Sequence, residues 1–427
     1  MKWKRQTPET LPVPRAWWRI YQDGTLTSLV ERSLAGNQDL TAAAARLRQA
    51  REISIAARSE YFPDVNIGYG ANRSKSRFPG GAGGGGMTIL QSNFLVPVDF
   101  SYEVDVWGKV RRKVESAKAT AEAAGETLNA VRLSVAGEVA QTYWALRAVD
   151  ADREVLNRTL EIRRKALELL SKRRSVGSIS GLDLARAETE VATVEADRIR
   201  LDQSRVTLVN ALAVLAGTTA TGFTVPERAD LPTPPSVPVS VPSELLRQRP
   251  DIRAAERRVA AANADIGVAT AAFYPSFTIN ASSGLSAAHS GDLLQASSLV
   301  WSIGANVMMP VLKRSYLKAQ QQAAVAAHDA VSAEYRQTVL DSIREAENAL
   351  QGAAILQRRQ IAQNQALEAA RKTFELSTNR FKSGLVSFLD VVDAERTRLD
   401  AERTANAIRA ERLALSVSLI KALGGEW

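Results

Sequence analysis

Gly177-Ser-Ile-Ser180-Gly-Leu-Asp183 returns half a chain later as Gly384-Leu-Val-Ser387-Phe-Leu-Asp390. Each copy follows an arginine at the same distance, Arg173 and Arg380. Each also leads to an Ala-Glu pair five residues beyond the aspartate level, Ala187-Glu188 and Ala394-Glu395. A repeat on this scale means one structural plan used twice, so every element has to be read with its twin. The glycine marks a helix stop, where a left-handed residue is needed, and an aspartate suits the start of a new helix.

Working outward from these turns, no proline occurs between Pro97 and Pro226 or after Pro310. Two long helices are expected there, over 108–176 and 311–383, and each runs into one glycine turn. Returning helices are expected over 181–216 and 388–423. In the first long segment Leu128, Val135, Val149, Leu156 and Leu170 fall on a seven-residue spacing, with Val139, Leu146, Leu160 and Leu167 four positions on. That narrow stripe suits lateral packing against other long helices. About 70 residues at 1.5 Å each would reach about 100 Å. Each half therefore contains a long helical hairpin with its glycine turn at the tip.

Each half also contains two alternating segments. In 64–72, Val65, Ile67, Tyr69 and Ala71 alternate with Asp64, Asn66, Gly68, Gly70 and Asn72. In 93–105, Phe94, Val96, Val98, Phe100, Tyr102 and Val104 alternate with a set that includes Asn93, Asp99, Ser101, Glu103 and Asp105. Phe277, Ile279, Ala281 and Leu285 alternate with Thr278, Asn280, Ser282 and Ser286. Leu299, Trp301, Ile303, Ala305 and Val307 alternate with Ser302, Gly304 and Asn306. Four segments of about ten residues, apolar on one side only, match the strands of outer-membrane barrels. Four strands cannot close a barrel, and open edges are not tolerated in lipid, so several chains must pool their strands.

Shorter helices, 25–60 and 242–272, precede the strand pairs. They are twins as well: Gln38-Asp39-Leu40 against Pro250-Asp251-Ile252, and Tyr61-Phe62-Pro63 against Phe273-Tyr274-Pro275. The organisation is an N-terminal extended segment 1–22, a first repeat 23–216, a proline-rich connection 217–241 and a second repeat 242–427. Strands are expected at about 62–77, 90–105, 274–287 and 297–310. The run Arg77-Phe-Pro-Gly-Gly-Ala-Gly-Gly-Gly-Gly86 reads as an exposed loop between strands; it lacks the Gly-Lys-Ser/Thr ending of a phosphate cradle.

Composition narrows the function. The 427 residues include no cysteine and two histidines, His289 and His328, so thiolate and multi-histidine metal sites are excluded and no cofactor is expected. The net charge of +9 comes from 55 basic and 46 acidic residues interleaved along the helices, which is a solvated face and not a nucleic-acid patch. Neither a membrane-spanning apolar run nor an apolar leader is present, which taken alone suggests a soluble protein; the strands argue otherwise.

At this level the chain resembles the outer membrane factor (TolC-like) family, exit ducts of tripartite efflux pumps and related secretion systems, in the subgroup of lipoprotein-type drug-efflux channels. The resemblance is carried by Trp17-Trp18 with Asp23 and Leu29, by Tyr102-Glu-Val-Asp-Val-Trp-Gly108, by Leu245-Leu-Arg-Gln-Arg-Pro-Asp-Ile252, by Ala271-Ala-Phe-Tyr-Pro-Ser276 and by Lys421-Ala-Leu-Gly-Gly-Glu-Trp427. It implies an α+β chain whose long α-helical barrel continues into a transmembrane β-barrel, both formed by a homotrimer. Four strands per chain would give twelve. It also implies an outer-membrane location with the helices in the periplasm, a periplasmic membrane-fusion adaptor, and an inner-membrane transporter of the RND type as partners.

The resemblance further implies roles at the tips. Adaptor contact falls on Val176, Gly177 and Ser178 and on Ser383, Gly384 and Leu385, although neither triplet is a full Val-Gly-Leu. Leu389, Asp390 and Asp393 match the closed periplasmic entrance, where threefold aspartate rings repel one another and attract cations. Val386 stands where some relatives have an arginine, so that salt-bridge lock is not expected here. Asp183 reads as a helix cap. The lipoprotein subgroup carries a lipid on a cysteine after a signal peptide, and this sequence contains neither. Two other classes fit less well: a periplasmic coiled-coil adaptor or scaffold leaves the four strands without a purpose, and an enzyme lacks a Ser-His-Asp set, a rigid carboxylate pair or a metal cluster. A type I protein secretion duct remains the alternative within the same architecture.

Overall fold

The long helices expected in the two proline-free segments are present: α3 spans Lys109–Ser175 and α6 spans Arg314–Lys382 in the computed structural model, which describes residues 16–78, 87–235 and 248–425. Expectations for 1–15, the glycine loop 79–86, the connection 236–241, the helix start 242–247 and the last two residues lie outside the described residues. After the turns come α4, Gly181–Leu215, and α7, Phe388–Ala422. The shorter elements are a 3-10 turn at Trp17–Tyr21, α1 (Gly24–Gly36), α2 (Gln38–Ser59) and α5 (Pro250–Ala271). Strands are β1 (Asp64–Ile67), β2 (Gly70–Phe78), β3 (Met87–Val104), β4 (Ser276–Ala287) and β5 (Leu299–Met308). The chain divides into two units.

One unit comprises the described residues of Met1–Ala45, Glu126–Arg253 and Gln337–Trp427. Its core follows the stripe read from sequence: Leu128, Val135, Val139, Leu146, Leu156, Leu160 and Leu170 are buried, and Val149 and Leu167 are half-buried. Leu156 and Leu160 of α3 pack with Val194 and Leu201 of α4, and Leu399 of α7 lies against them. The proline-rich connection is tied down where it is described. Arg147 and Asp150, both almost fully buried, form an ion pair of 2.9 Å. Arg147 also donates to the Pro226 carbonyl at 2.7 Å, and Arg205 donates to the Val225 carbonyl at 2.7 Å. An irregular backbone thus finds fixed donors and can lie on a helical surface.

The expected single helix 25–60 is two helices. Asn37 breaks it by accepting from the Asp39 and Leu40 amides at 2.9 and 3.2 Å while its amide donates to the Leu215 carbonyl at 3.0 Å. The break coincides with a backbone-to-backbone approach. A Cβ on Gly217 (φ +70°) would lie 1.9 Å from the Gly36 carbonyl oxygen, so only glycine fits.

The second unit, Arg46–Gly125 and Ala254–Arg336, contains the whole sheet, antiparallel in the order β1-β3-β4-β5 with β2 also on β3. The expected first strand is split, yet β1 and β2 keep one register against β3, from Asp64↔Ser101 to Phe78↔Met87. The gap falls opposite Pro97. The Gly68 amide donates to the Pro97 carbonyl at 2.9 Å, but proline has no N–H to return the bond. Pro97 sits within a central strand, and Gly284 across from it accommodates this: a Cβ there would lie 2.3 Å from the Val96 carbonyl oxygen. Four strand lines therefore run through the sheet.

This register places all the apolar alternations on one face. Ile67 pairs with Val98, Val98 with Ser283 and Ser283 with Trp301; one level on, Val65, Phe100, Ala281 and Ile303 form a second row. Trp301 is 73% exposed and Ile303 70% in the single chain. The other face is polar, with hydrogen bonds from Ser101 to Asn280 and from Ser286 to Asn93, each 3.0 Å.

Candidate gate and docking tips

Both tips are built by the same backbone device. At the first, the Gly177 amide donates to the Arg174 carbonyl and the Ser178 amide to the Arg173 carbonyl, each at 2.9 Å. At the second, Gly384 donates to Phe381 at 3.0 Å and Leu385 to Arg380 at 2.9 Å. These are Schellman stops, which need a left-handed residue. Gly177 has φ +75° and Gly384 φ +76°. Three residues further, Ser180 and Ser387 restart the chain as N-caps, accepting from the Asp183 amide at 3.2 Å and the Asp390 amide at 3.4 Å. The recurrent Gly-x-x-Ser-x-x-Asp is thus a helix stop followed by a helix start.

The side chains expected to meet an adaptor are open to solvent. Val176 is 75% exposed and Leu385 69%, and Gly177, Ser178, Ser383 and Gly384 are exposed as well. The two tips are brought together: the Arg173 guanidinium lies over the Phe381 ring at 5.7 Å, and Phe381 packs on Phe388 at 5.8 Å. Leu389, Asp390 and Asp393 are exposed on the first turns of α7, while Val392, Ala394 and Glu395 are buried. Asp390 has a local partner. Its carboxylate accepts from the Ser387 amide at 2.8 Å and the Ser387 hydroxyl at 2.7 Å, closing a capping box. The Ser387 hydroxyl first, and the Ser387 amide next, hold the Asp390 carboxyl below its ordinary 3.8. Asp393 makes no such box; its backbone carbonyl accepts from the Thr397 hydroxyl at 2.9 Å, and its charge supports the neighbouring Arg396 guanidinium.

One group of charged residues near the tips was not singled out from the sequence. Arg163 of α3 is buried and donates to Glu395 of α7 at 3.1 Å and to the Glu190 carbonyl of α4 at 3.1 Å. It also pairs with the Glu190 carboxylate, which Arg396 grips from the other side. Two cations and two carboxylates thus join three helices from both hairpins. Burial pushes the Glu395 carboxyl above its ordinary value; Arg163 and Arg398 oppose this and the Glu190 charge adds to it. The signal was in the heptad. Arg163 occupies the slot midway between Leu156 and Leu170, where an apolar residue belongs.

A sheet with one exposed apolar face, joined in sequence to paired helical hairpins with open tips, defines a channel protein of the outer membrane. The chain belongs to the outer membrane efflux protein family, whose sequence profile matches residues 29–218 and 241–425. It is 32% identical over 417 residues to the pyoverdine export outer membrane protein OpmQ of Pseudomonas aeruginosa, covering 97% of this chain and 88% of that protein. It is 29% identical to the toluene efflux pump outer membrane protein TtgF of Pseudomonas putida, covering 96% and 85%. Its fold matches the outer-membrane channel OprN with a TM-score of 0.92 at 31% identity, covering 100% of this chain and 99% of that one. It also matches VceC of Vibrio cholerae at 0.88 and 29%, covering 96% and 98%. Its place is the outer membrane and its work is efflux.

Proposed function

We propose that the chain is the exit duct of a tripartite efflux pump and works as a homotrimer. The observation that carries this is the single register of the sheet. It gathers the apolar residues of all four strand lines on one face and leaves β1/β2 and β5 as unpaired edges. In lipid an open edge is excluded, so the edge of one copy pairs with the opposite edge of the next, and three copies give a twelve-stranded barrel. From Phe94 to Val104, β3 advances about 34 Å along the strand, and a tilt of about 40° reduces this to about 26 Å, the height of an outer-membrane apolar band. Trp107 stacks on Tyr274 at 4.8 Å and donates to the Pro275 carbonyl at 2.8 Å, setting an amphipathic aromatic pair at the helix-linked end of that band.

The helical hairpins then form the periplasmic barrel. Their tips, Val176-Gly177-Ser178 and Ser383-Gly384-Leu385, dock a membrane-fusion adaptor that connects to an inner-membrane transporter of the RND type. Leu389 and Asp393, with Asp390 beside them, narrow the entrance by threefold repetition. OpmQ is a pyoverdine export protein and TtgF belongs to a toluene efflux pump, and the cargo here is of that broad, small-molecule kind. The test is a planar-bilayer recording on detergent-purified protein. Heat-resistant trimers with conductance are expected, and Asp390→Ala with Asp393→Ala should raise that conductance. A monomer that needs no detergent would sink the duct, and unchanged conductance would remove the two aspartates from the gate.

A further inference from the structure

The apolar face of the sheet ends at Ala71 on β2, and the same face continues as Arg73, Lys75 and Arg77. The register settles this placement. Ala71 pairs with Phe94, Arg73 with Ser92, Lys75 with Leu90 and Arg77 with Thr88, without a slip. The opposite face of the same arm carries Asn72, Ser74 and Ser76 opposite Asn93, Gln91 and Ile89, and no charge. β4 stops at Ala287 across from Phe94, so the arm projects beyond the sheet at the end away from α2 and α3. Arg73, Lys75 and Arg77 are exposed and make no ion pair among the described residues. The nearest loop at that end, between β4 and β5, holds Asp292, whose carboxylate accepts from Gln295 at 2.9 Å.

Three cations on one side and none on the other is not what a merely soluble arm requires, since water solvates either face equally. Edge strands do use charge to discourage stray pairing, but that purpose does not select a face either. We infer that Arg73, Lys75 and Arg77 form a binding row for anionic lipid headgroups at the outer rim of the apolar band; this rests on the sheet's apolar face meeting lipid. Spaced two residues apart, the cations climb about 7 Å per step along the strand, so together they span the depth of a headgroup layer. The arginine guanidinium forks suit phosphate oxygens in pairs, and the lysine adds a point charge. Each cation near an anionic lipid surface is worth on the order of a fivefold preference.

The experiment reconstitutes the full chain in vesicles of equal parts phosphatidylcholine and phosphatidylglycerol, extracts it in mild detergent and counts retained lipids by native mass spectrometry. The unaltered protein should retain phosphatidylglycerol in severalfold excess. Arg73→Gln with Lys75→Gln and Arg77→Gln should bring retention close to the vesicle ratio. A transposed variant keeps the net charge but moves it across the strand: Arg73→Ser, Lys75→Ser and Arg77→Ser with Asn72→Arg, Ser74→Arg and Ser76→Lys. It should lose the preference as well. No preference in the unaltered protein, or a preference that survives transposition, would overturn the headgroup row. Conductance recorded on the same preparations separates the two readings. Conductance without lipid preference defeats this inference alone, and lipid preference without conductance defeats the duct while leaving the row in place.

Discussion

At the tip after α3 and the tip after α6 the chain performs the same sequence of steps: a Schellman stop on glycine, two linking residues, a serine cap and an aspartate at the third helical position. Beyond the turn the twins separate. Ala187 and Ala394 are both buried, but Glu188 is exposed whereas its counterpart Glu395 is buried against Arg163. The aspartates differ in degree: Asp390 returns a hydrogen bond to its cap's backbone, while Ser180 alone caps α4. Duplication has therefore preserved what bends the chain and altered what ties one hairpin to the other. The first hairpin supplies Arg163 and Glu190, the second supplies Glu395 and Arg396, and neither half could build the cluster from its own residues.

The strongest way to break that contrast is to remove Arg163. Its loss leaves Glu190 with Arg396 alone and the buried Glu395 without its hydrogen-bonded cation, and unpairing a buried cluster in this way costs about 3–5 kcal/mol. Arg163→Ala should therefore lower the unfolding midpoint in detergent far more than Glu188→Ala, which should stay within about 0.5 kcal/mol of the unaltered protein. Equal, small losses would show that the cluster is not a structural tie.

The pH profile sharpens the same point. Burial holds the folded-state Glu395 carboxyl above its ordinary 4.5, so its contribution to stability is full below that value and is lost as pH rises through the raised folded value. Glu395→Gln should flatten this decline in melts taken between acid and neutral pH, and Glu188→Gln should leave it unchanged. A decline that persists in Glu395→Gln would assign it to another group.

How much of this was legible in the sequence depends on the range of the interaction. The stripe from Leu128 to Leu170 and the alternation in 93–105 are periodic, and they identified helices and strands because burial repeats with the element's own period. The turns were legible because glycine and aspartate act on backbone within three residues; the serine caps between them appear only in the structure. The split at Pro97 was visible as a proline but not as a gap in its partner strand, since that requires knowing that Gly68 lies opposite. Asn37 went unread for the same reason: its amide reaches the distant Leu215 carbonyl, and Gly36 meets Gly217. At the tips the sequence located the exposed residues. The ion cluster needed α7 to lie against α3 and α4, although the misplaced arginine in the heptad was its local trace.

The glycines test the shared half of the comparison. A Cβ on Gly177 or Gly384 would meet nothing within 4 Å, so alanine there brings backbone strain alone. Left-handed backbone costs a residue with a side chain about 1–2 kcal/mol. Gly177→Ala and Gly384→Ala should each lower stability by that amount, measured by the same melts. A loss at one tip only would mean that the two stops are not equivalent. Because the space is open, any larger effect on adaptor affinity than on stability would report the tip surface and not the fold.

The smallest effects should come from the caps, and here the twins should part again. Ser180→Ala removes one acceptor from the start of α4 and should cost about 1 kcal/mol. Ser387→Ala should cost about as much, since each serine hydroxyl also donates to its aspartate, at 2.8 Å to Asp183 and 2.7 Å to Asp390; at the second tip its loss should also change the acid limb of the stability profile, because that hydroxyl is the leading cause of Asp390's lowered pKa. The sign is opposite to that of Glu395. A carboxyl held below its ordinary 3.8 contributes stability above that value, and the contribution is lost as pH falls through the lowered folded value. Asp390→Asn should remove this acid-limb loss, and Ser387→Ala should reduce it. Identical acid limbs in Ser387→Ala and the unaltered protein would show that the capping box does not set the charge of Asp390, and would leave that carboxylate free to serve the entrance in the same way as Asp393.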